Sequence, residues 1–294
     1  MTMRFVILVV ACASCGGSNG STDPDGNTGG MHDGNGTPTE TKVGTVTIES
    51  TRYTVGTTEA EQGYASGTFY RIPPAMGTGI GGCTTQTFGA CDVQTCVADG
   101  TPTDGGLSIT YTDAGPMTIS GVQVNDGTMT LTPGAYGYVT VSGAVALFNG
   151  GDTVHFVAPG NSHGAPMLDV SLVAPSSVTV TALAFVQGMV VASASHDLAV
   201  TWTGSSASAV TAQLTAGANG TSAVAHCSFP GNSGSGIVPA AAISAVRSVG
   251  GYASIMVSSE SRATRNPDGW NIAFSLQSYG VVSTGLAVGT LQFD

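Results

Sequence analysis

Trp270, Ile272, Phe274 and Leu276 alternate with Asn271, Ala273 and Ser275. In an extended chain this puts four large apolar side chains on one face and small or polar ones on the other. It is the two-residue period of a half-buried strand, not the 3.6-residue period of a helix. The pattern recurs. Leu198, Val200 and Trp202 share a face; Met117-Thr118-Ile119-Ser120 and Met129-Thr130-Leu131-Thr132 alternate beside Gly or Pro. Val139-Thr140-Val141-Ser142 continues the series, and near the start Val43, Thr45 and Thr47 alternate with Gly44, Val46 and Ile48. Asn149-Gly150-Gly151-Asp152 reads as a turn before a strand over 153–158. The one helical stretch, 239–247, begins with Pro239 at a position suited to the first helical residue. With 43 glycines in 294 residues and 9% charged residues, the expectation is an all-β chain of antiparallel, sandwich-like domains.

The N-terminus constrains location. Arg4 precedes an apolar run over 5–11, and then comes Cys12-Ala13-Ser14-Cys15-Gly16-Gly17. A positive start, a short apolar run and a small-residue exit describe an export signal. The run is far short of the roughly 20 apolar residues that span a bilayer. A cysteine at that exit resembles the lipobox of bacterial lipoproteins. Cys12 fits the consensus better, whereas Cys15 leaves a signal of more usual length and leads directly into a tether; Cys15 is the preferred lipidation site and Cys12 the alternative. The resemblance implies an envelope protein held at the outer membrane or cell surface by lipid.

Residues 16–42 are Gly-, Ser-, Asn- and Asp-rich and cannot bury enough apolar surface to offset their ordering entropy. As a random coil they would hold the folded part roughly 30 Å from the membrane. Asp23-Pro24-Asp25-Gly26-Asn27 opens like a calcium loop, but Thr28 and Gly34 stand where that loop needs Gly and Glu. The expected organisation is a signal over 1–14, a tether over 15–42, a β domain over 43–182 and an immunoglobulin-like sandwich over 183–294. The division follows Pro175-Ser176-Ser177 and Gln187-Gly188, and Trp202 is the candidate core tryptophan of the second domain.

The formal charge of −11, with Lys42 the only lysine, lacks the basic footprint of a nucleic-acid binder. Anionic headgroups would repel such a chain, so attachment to a membrane must come from lipid. Further partners are an unidentified protein or a glycan.

The segments DLAVTWTG, AHCSFPGNSGSGIVPAAAI and GWNIAF, with Cys83, Cys91 and Cys96 and the stretch AGPMTISG, resemble uncharacterised surface lipoproteins of myxobacteria and related deltaproteobacteria. The resemblance implies an all-β surface lipoprotein and no catalytic activity.

Apart from the lipidation candidates Cys12 and Cys15, four cysteines remain: Cys83, Cys91, Cys96 and Cys227. An even count in an exported chain points to disulfides, with three pairings open. Cys91 and Cys96 are close enough in sequence to form a small loop, which would leave Cys83 to bridge to Cys227 or both to stay free. Chain entropy assigns about 2 kcal/mol to the short loop and about 5 to the long one. A zinc site using His226 beside Cys227 is the rival, although the spacings lack the close pairs that zinc prefers. Neither metal nor cofactor is expected.

Gly231-Asn232-Ser233-Gly234-Ser235-Gly236 resembles the nucleophile loop of trypsin-like serine proteases, and Ala225-His226-Cys227 their histidine segment. In that family the two lie well over a hundred residues apart; here they are seven apart. Asp197 beside His196 and Asp152 near His155 are the remaining triad partners. A hydrolase using Ser233 and His226 is therefore the alternative to a non-enzymatic binding or structural module. His155, His163 and Asp169 form a possible ligand set, and Asn266-Pro267-Asp268-Gly269 reads as a turn. Tyr136 and Tyr138, if exposed, could stack on a sugar, which makes a carbohydrate-binding module the third reading.

Overall fold

The computed structural model describes residues 40–72, 83–97, 110–138, 141–204, 209–283 and 285–294. Cys12, Cys15 and nearly all of the tether lie outside them.

Long hairpins organise the chain. β1 (Thr41–Val55) and β2 (Thr58–Ile72) pair antiparallel over their full length. β3 (Cys83–Phe88) and β4 (Cys91–Val97) form a second hairpin. β5 (Thr110–Thr112) adds to the free edge of β2. β6 (Met117–Ser120) pairs with β7 (Thr128–Leu131), and β8 (Pro133–Gly134) with β9 (Gly137–Tyr138). β10 (Val141–Gly143) returns to β2, while β11 (Thr153–Ala158) lies between β6 and β12 (Leu168–Val173). After β13 (Thr179–Val180), β14 (Met189–Ala192) and β15 (Leu198–Thr203) comes a third long hairpin. It joins β16 (Ala209–Ala218) to β17 (Thr221–Pro230) through Asn219 and Gly220, both at positive φ, as a tight hairpin turn requires. β18 (Ser235–Val238) leads into α1 (Ala240–Arg247). β19 (Tyr252–Arg265) and β20 (Trp270–Tyr279) turn at Pro267–Gly269, and β21 (Val281–Val282), β22 (Gly285–Leu286) and β23 (Val288–Phe293) close the chain.

These strands build a 12-stranded sheet whose main path runs β10-β2-β1-β20-β19-β16-β17-β4-β3. Two smaller sheets, β12-β11-β6-β7 and β18-β15-β13-β21-β22, complete the sandwich layers. Most pairs are antiparallel, but β1 runs parallel to β20, β14 to β23 and β13 to β21. One face of the large sheet carries the apolar alternation along its long strands, and two cores form on it. In the first, Val46, Ile48, Phe69, Ile272, Phe274 and Leu276 meet Met117, Ile119, Leu131, Val154 and Phe156. In the second, Val210, Leu214, Ala225, Ile255 and Val257 meet Val200, Trp202 and Ile243 of α1.

The chain does cross from one core to the other near 175–178: Ala174 belongs to the first and Val178 to the second. The expected division at 182/183 nevertheless needs correction. Cys91 and Val93 from the first half enter the second core, and Trp270 to Leu276 from the second half complete the first. An immunoglobulin sandwich closes within one contiguous stretch; here a single sheet runs through both cores. Between them lies a serine seam. The Ser50 hydroxyl donates to the Phe148 carbonyl and accepts from the amides of Leu147 and Phe148. Ser259 Oγ donates to the carbonyls of Ser176 and Ser278.

The helix falls where the sequence places it, although Pro239 stands at the N-cap with extended ψ and not inside the first turn. Its own side chain offers no cap. The carboxylate of Asp197 accepts the Ala240 amide at 2.8 Å instead and supplies the anion that a helix N-terminus favours.

Candidate functional site

Side chains on a strand alternate, so the large sheet has a second face that neither core uses. Across neighbouring strands the registers align it in rows. Tyr64, Glu49, Gln277 and Glu260 form one row, and Ser66, Thr47, Ser275 and Arg262 the next. Further along, Met256, Gln213, His226, Asp92 and Thr87 continue it onto β16, β17, β4 and β3. Tyr53, Tyr70 and Tyr252 share this face by strand position. Hydroxyls, amides, phenols and a few charges therefore make up a surface backed by two apolar cores.

Glu260 is only 4% exposed yet well supplied with donors. Its Oε1 accepts from Arg262 Nη2 at 2.9 Å, Arg262 Nε at 3.1 Å, Ser275 Oγ at 2.9 Å and Gln277 Nε2 at 3.3 Å. A charge so buried persists only when paired. Arg262→Ala is expected to destabilise the protein by about 3 kcal/mol, the lower end for a broken buried pair because the Arg262 side chain is 44% exposed. Urea unfolding checks this, and adding Glu260→Gln should recover most of the loss.

Glu49, in the same row, is provided for differently. Tyr279 donates its hydroxyl to Glu49 Oε2 at 2.6 Å, and Tyr64 stands opposite on β2. Burial pushes the Glu49 carboxyl above its ordinary range, against the opposing pull of the phenol. Burial and the neighbouring carboxylate together raise the Tyr279 phenol well above 10. Among the described residues no Lys, Arg or His forms an ion pair with Glu49.

The residues singled out in the sequence disperse. His226 lies on the outer face, where burial lowers its pKa and Glu260 and Asp92 partly restore it. Ser233 sits in the turn after β17, donating to the carbonyls of Pro230 and Ser235 at 2.8 and 2.7 Å. That hydroxyl closes a turn, and no bond joins it to His226. Asp197 caps the helix, while His196 Nδ1 meets Ser195 Oγ at 3.0 Å. Asp152 accepts from the Asn149 amide and from Gln123. Of the possible ligand set, His155 and Asp169 meet at 2.8 Å across β11 and β12, but His163 pairs with Ser162. Among the described residues no three His, Cys, Asp or Glu gather as a metal site. Asn266 to Gly269 is indeed a turn, with Asp268 at φ 50°.

The cysteines form two disulfides, Cys83–Cys96 and Cys91–Cys227. The short Cys91–Cys96 loop is therefore wrong, as is a Cys83–Cys227 bridge. Cys91 and Cys96 are five residues apart on one strand, so they point to opposite faces and stand roughly 16 Å apart. Each instead bonds its register partner: Cys96 meets Cys83 on the outer face and Cys91 meets Cys227 in the second core. With every described cysteine oxidised, the zinc alternative at Cys227 and His226 has no thiolate.

Tyr138 also departs from expectation. It is 5% exposed, donating to the Gly115 carbonyl at 2.7 Å and accepting the Ala114 amide at 3.0 Å. Tyr136 is 79% exposed, its ring edge-on to Tyr111, which in turn lies beside Tyr70. Burial pushes the Tyr138 phenol up to about 12. Since its folded pKa exceeds the unfolded value near 10, its contribution is complete below pH 10 and lost as pH rises towards 12. Alkaline titration at 295 nm is expected to show Tyr138 and Tyr279 ionising only as the fold opens, after the exposed phenols.

An open cleft of about 610 Å³ lies between the end of β1 and the β22–β23 stretch, lined by Tyr53, Val55, Phe185, Gln187, Leu286 and Val288. Its apolar lining offers no acid–base pair. Sequence reasoning passed over Glu49, Tyr64, Glu260, Arg262, Gln277 and Tyr279. Glu49 directly after Ile48, and Glu260 within a serine run, were the available signals in a chain with so few charges. These features define a class, an all-β, disulfide-bonded protein with one polar, tyrosine-bearing sheet face. No protein-family model matches the chain, and no curated protein sequence matches it.

Proposed function

We propose that this chain is a lipid-anchored cell-envelope protein acting as a non-enzymatic binding module, with the outer face of the 12-stranded sheet as its binding surface. One observation carries this reading: both cores lie on the same side of the sheet, so neither occupies the opposite face. The turn-closing role of the Ser233 hydroxyl favours binding over hydrolysis. The signal and Cys15, with Cys12 as alternative, support attachment through lipid, and the tether gives the reach. Among the described residues no helix is long and apolar enough to cross a membrane. The intact mass of the mature protein tests the anchor: the reading requires an acylated N-terminal cysteine and two disulfides. An unacylated mature chain contradicts it.

The exposed Tyr136, in contact with Tyr111, favours a second reading in which the bound partner is a glycan. Loss of binding on a glycan array with Tyr136→Ala would support it.

A further inference from the structure

We infer that the Tyr64–Glu49–Tyr279 cluster is a binding site for an ammonium group, the charged head of the ligand taken by the outer face. The inference rests on the reading of that face as a binding surface and adds the chemistry of what it takes.

The argument begins from two carboxylates in one row. Glu260 has a guanidinium, a hydroxyl and an amide directed at a single oxygen. Glu49, half-buried and one strand removed beyond Gln277, has a phenol and no described cation. Tyr279 occupies Oε2 alone, which leaves Oε1 open. Charges drawn from water are ordinarily paired; Glu49 is half-buried, pairs with no described cation, and its Oε1 is not among the buried atoms left without a partner, so solvent and a ligand can reach it. Its complement is a cation.

The surroundings select the kind of cation. Calcium takes six to eight oxygen ligands and magnesium needs a near-octahedral shell; one carboxylate beside phenols supplies too few. An organic ammonium is suited to a different set, a single carboxylate with aromatic faces around it. Tyr64 is the direct register partner of Glu49, with side chains about 5 Å apart at their bases, and Tyr279 flanks it from β20. The two tyrosines thus reach the carboxylate from the strands on either side of β1. A net charge of −11 adds a long-range field that draws cations to the protein.

Choline and its uncharged carbon isostere, 3,3-dimethylbutan-1-ol, test this by isothermal titration against the full mature protein. The site predicts saturable choline binding, none by the isostere, and at least a tenfold loss with Glu49→Gln. Met167→Ala, at an exposed position outside the cluster, should bind choline as the native protein does, and an unchanged urea midpoint for Glu49→Gln controls for folding. Equal binding of the isostere, or undiminished binding by Glu49→Gln, overturns the proposal, as does the lack of saturable choline binding. A glycan array run alongside separates the two failures. A glycan held by the native protein and lost with Tyr64→Ala leaves the face as a binding surface while the ammonium site falls. If neither probe binds, the ammonium site and the glycan reading fall, and protection of Tyr64 and Tyr70 by an envelope fraction decides the face itself.

Discussion

Replacing Cys91 and Cys227 together by alanine is expected to lower unfolding stability by about 5 kcal/mol, the chain-entropy value for a sequence separation of 136. Removing Cys83 and Cys96, only 13 apart, should cost about 3 kcal/mol by the same relation. The first bridge also sits in the second core, where both cysteines are fully buried, so shortened side chains add a packing loss. Denaturant midpoints of the two double variants check the order. Equal losses would mean that the long loop is already restrained in the unfolded chain.

Phe274→Ala is expected to cost about 3–5 kcal/mol, the usual range for truncating a buried aromatic side chain. Phe274 is fully buried and meets Phe156 edge-to-face at 5.4 Å. Its strand belongs by sequence to the second half of the chain but by packing to the first core. β20 hydrogen-bonds β1 on one side and β19 on the other, so the damage should not stay local. Calorimetry is expected to show one transition displaced as a whole. A second transition left at the native temperature would mean that the cores unfold independently.

Much of the fold was legible because strand alternation is a local property. Trp270, Ile272, Phe274 and Leu276 face inward as their spacing requires, as do Val200 and Trp202. The turn at Asn149–Asp152 and the helix Ala240–Arg247 were equally readable, since glycine, proline and aspartate act on their immediate neighbours. Pairing was not. β1 lies parallel to β20 more than two hundred residues away, and no local pattern records that choice. The disulfides follow from pairing: once β4 lies between β3 and β17, Cys96 and Cys91 must turn to opposite partners. The site was hidden for the same reason. Glu49, Tyr64 and Tyr279 come from three strands, and only the registers bring them together. The Gly-Asn-Ser-Gly loop, by contrast, looked chemical because small residues serve tight turns and nucleophile loops alike.

Hydroxyl-radical footprinting tests most directly whether the outer face is the binding surface. The mature protein would be labelled with and without the envelope fraction of the cells that make it. The account predicts loss of labelling at Tyr64, Tyr70, Tyr136 and Tyr252, with Met167 unchanged. Met167 is 71% exposed next to β12, in the small sheet that covers the first core. Protection at Met167 with the tyrosines still labelled would contradict the account.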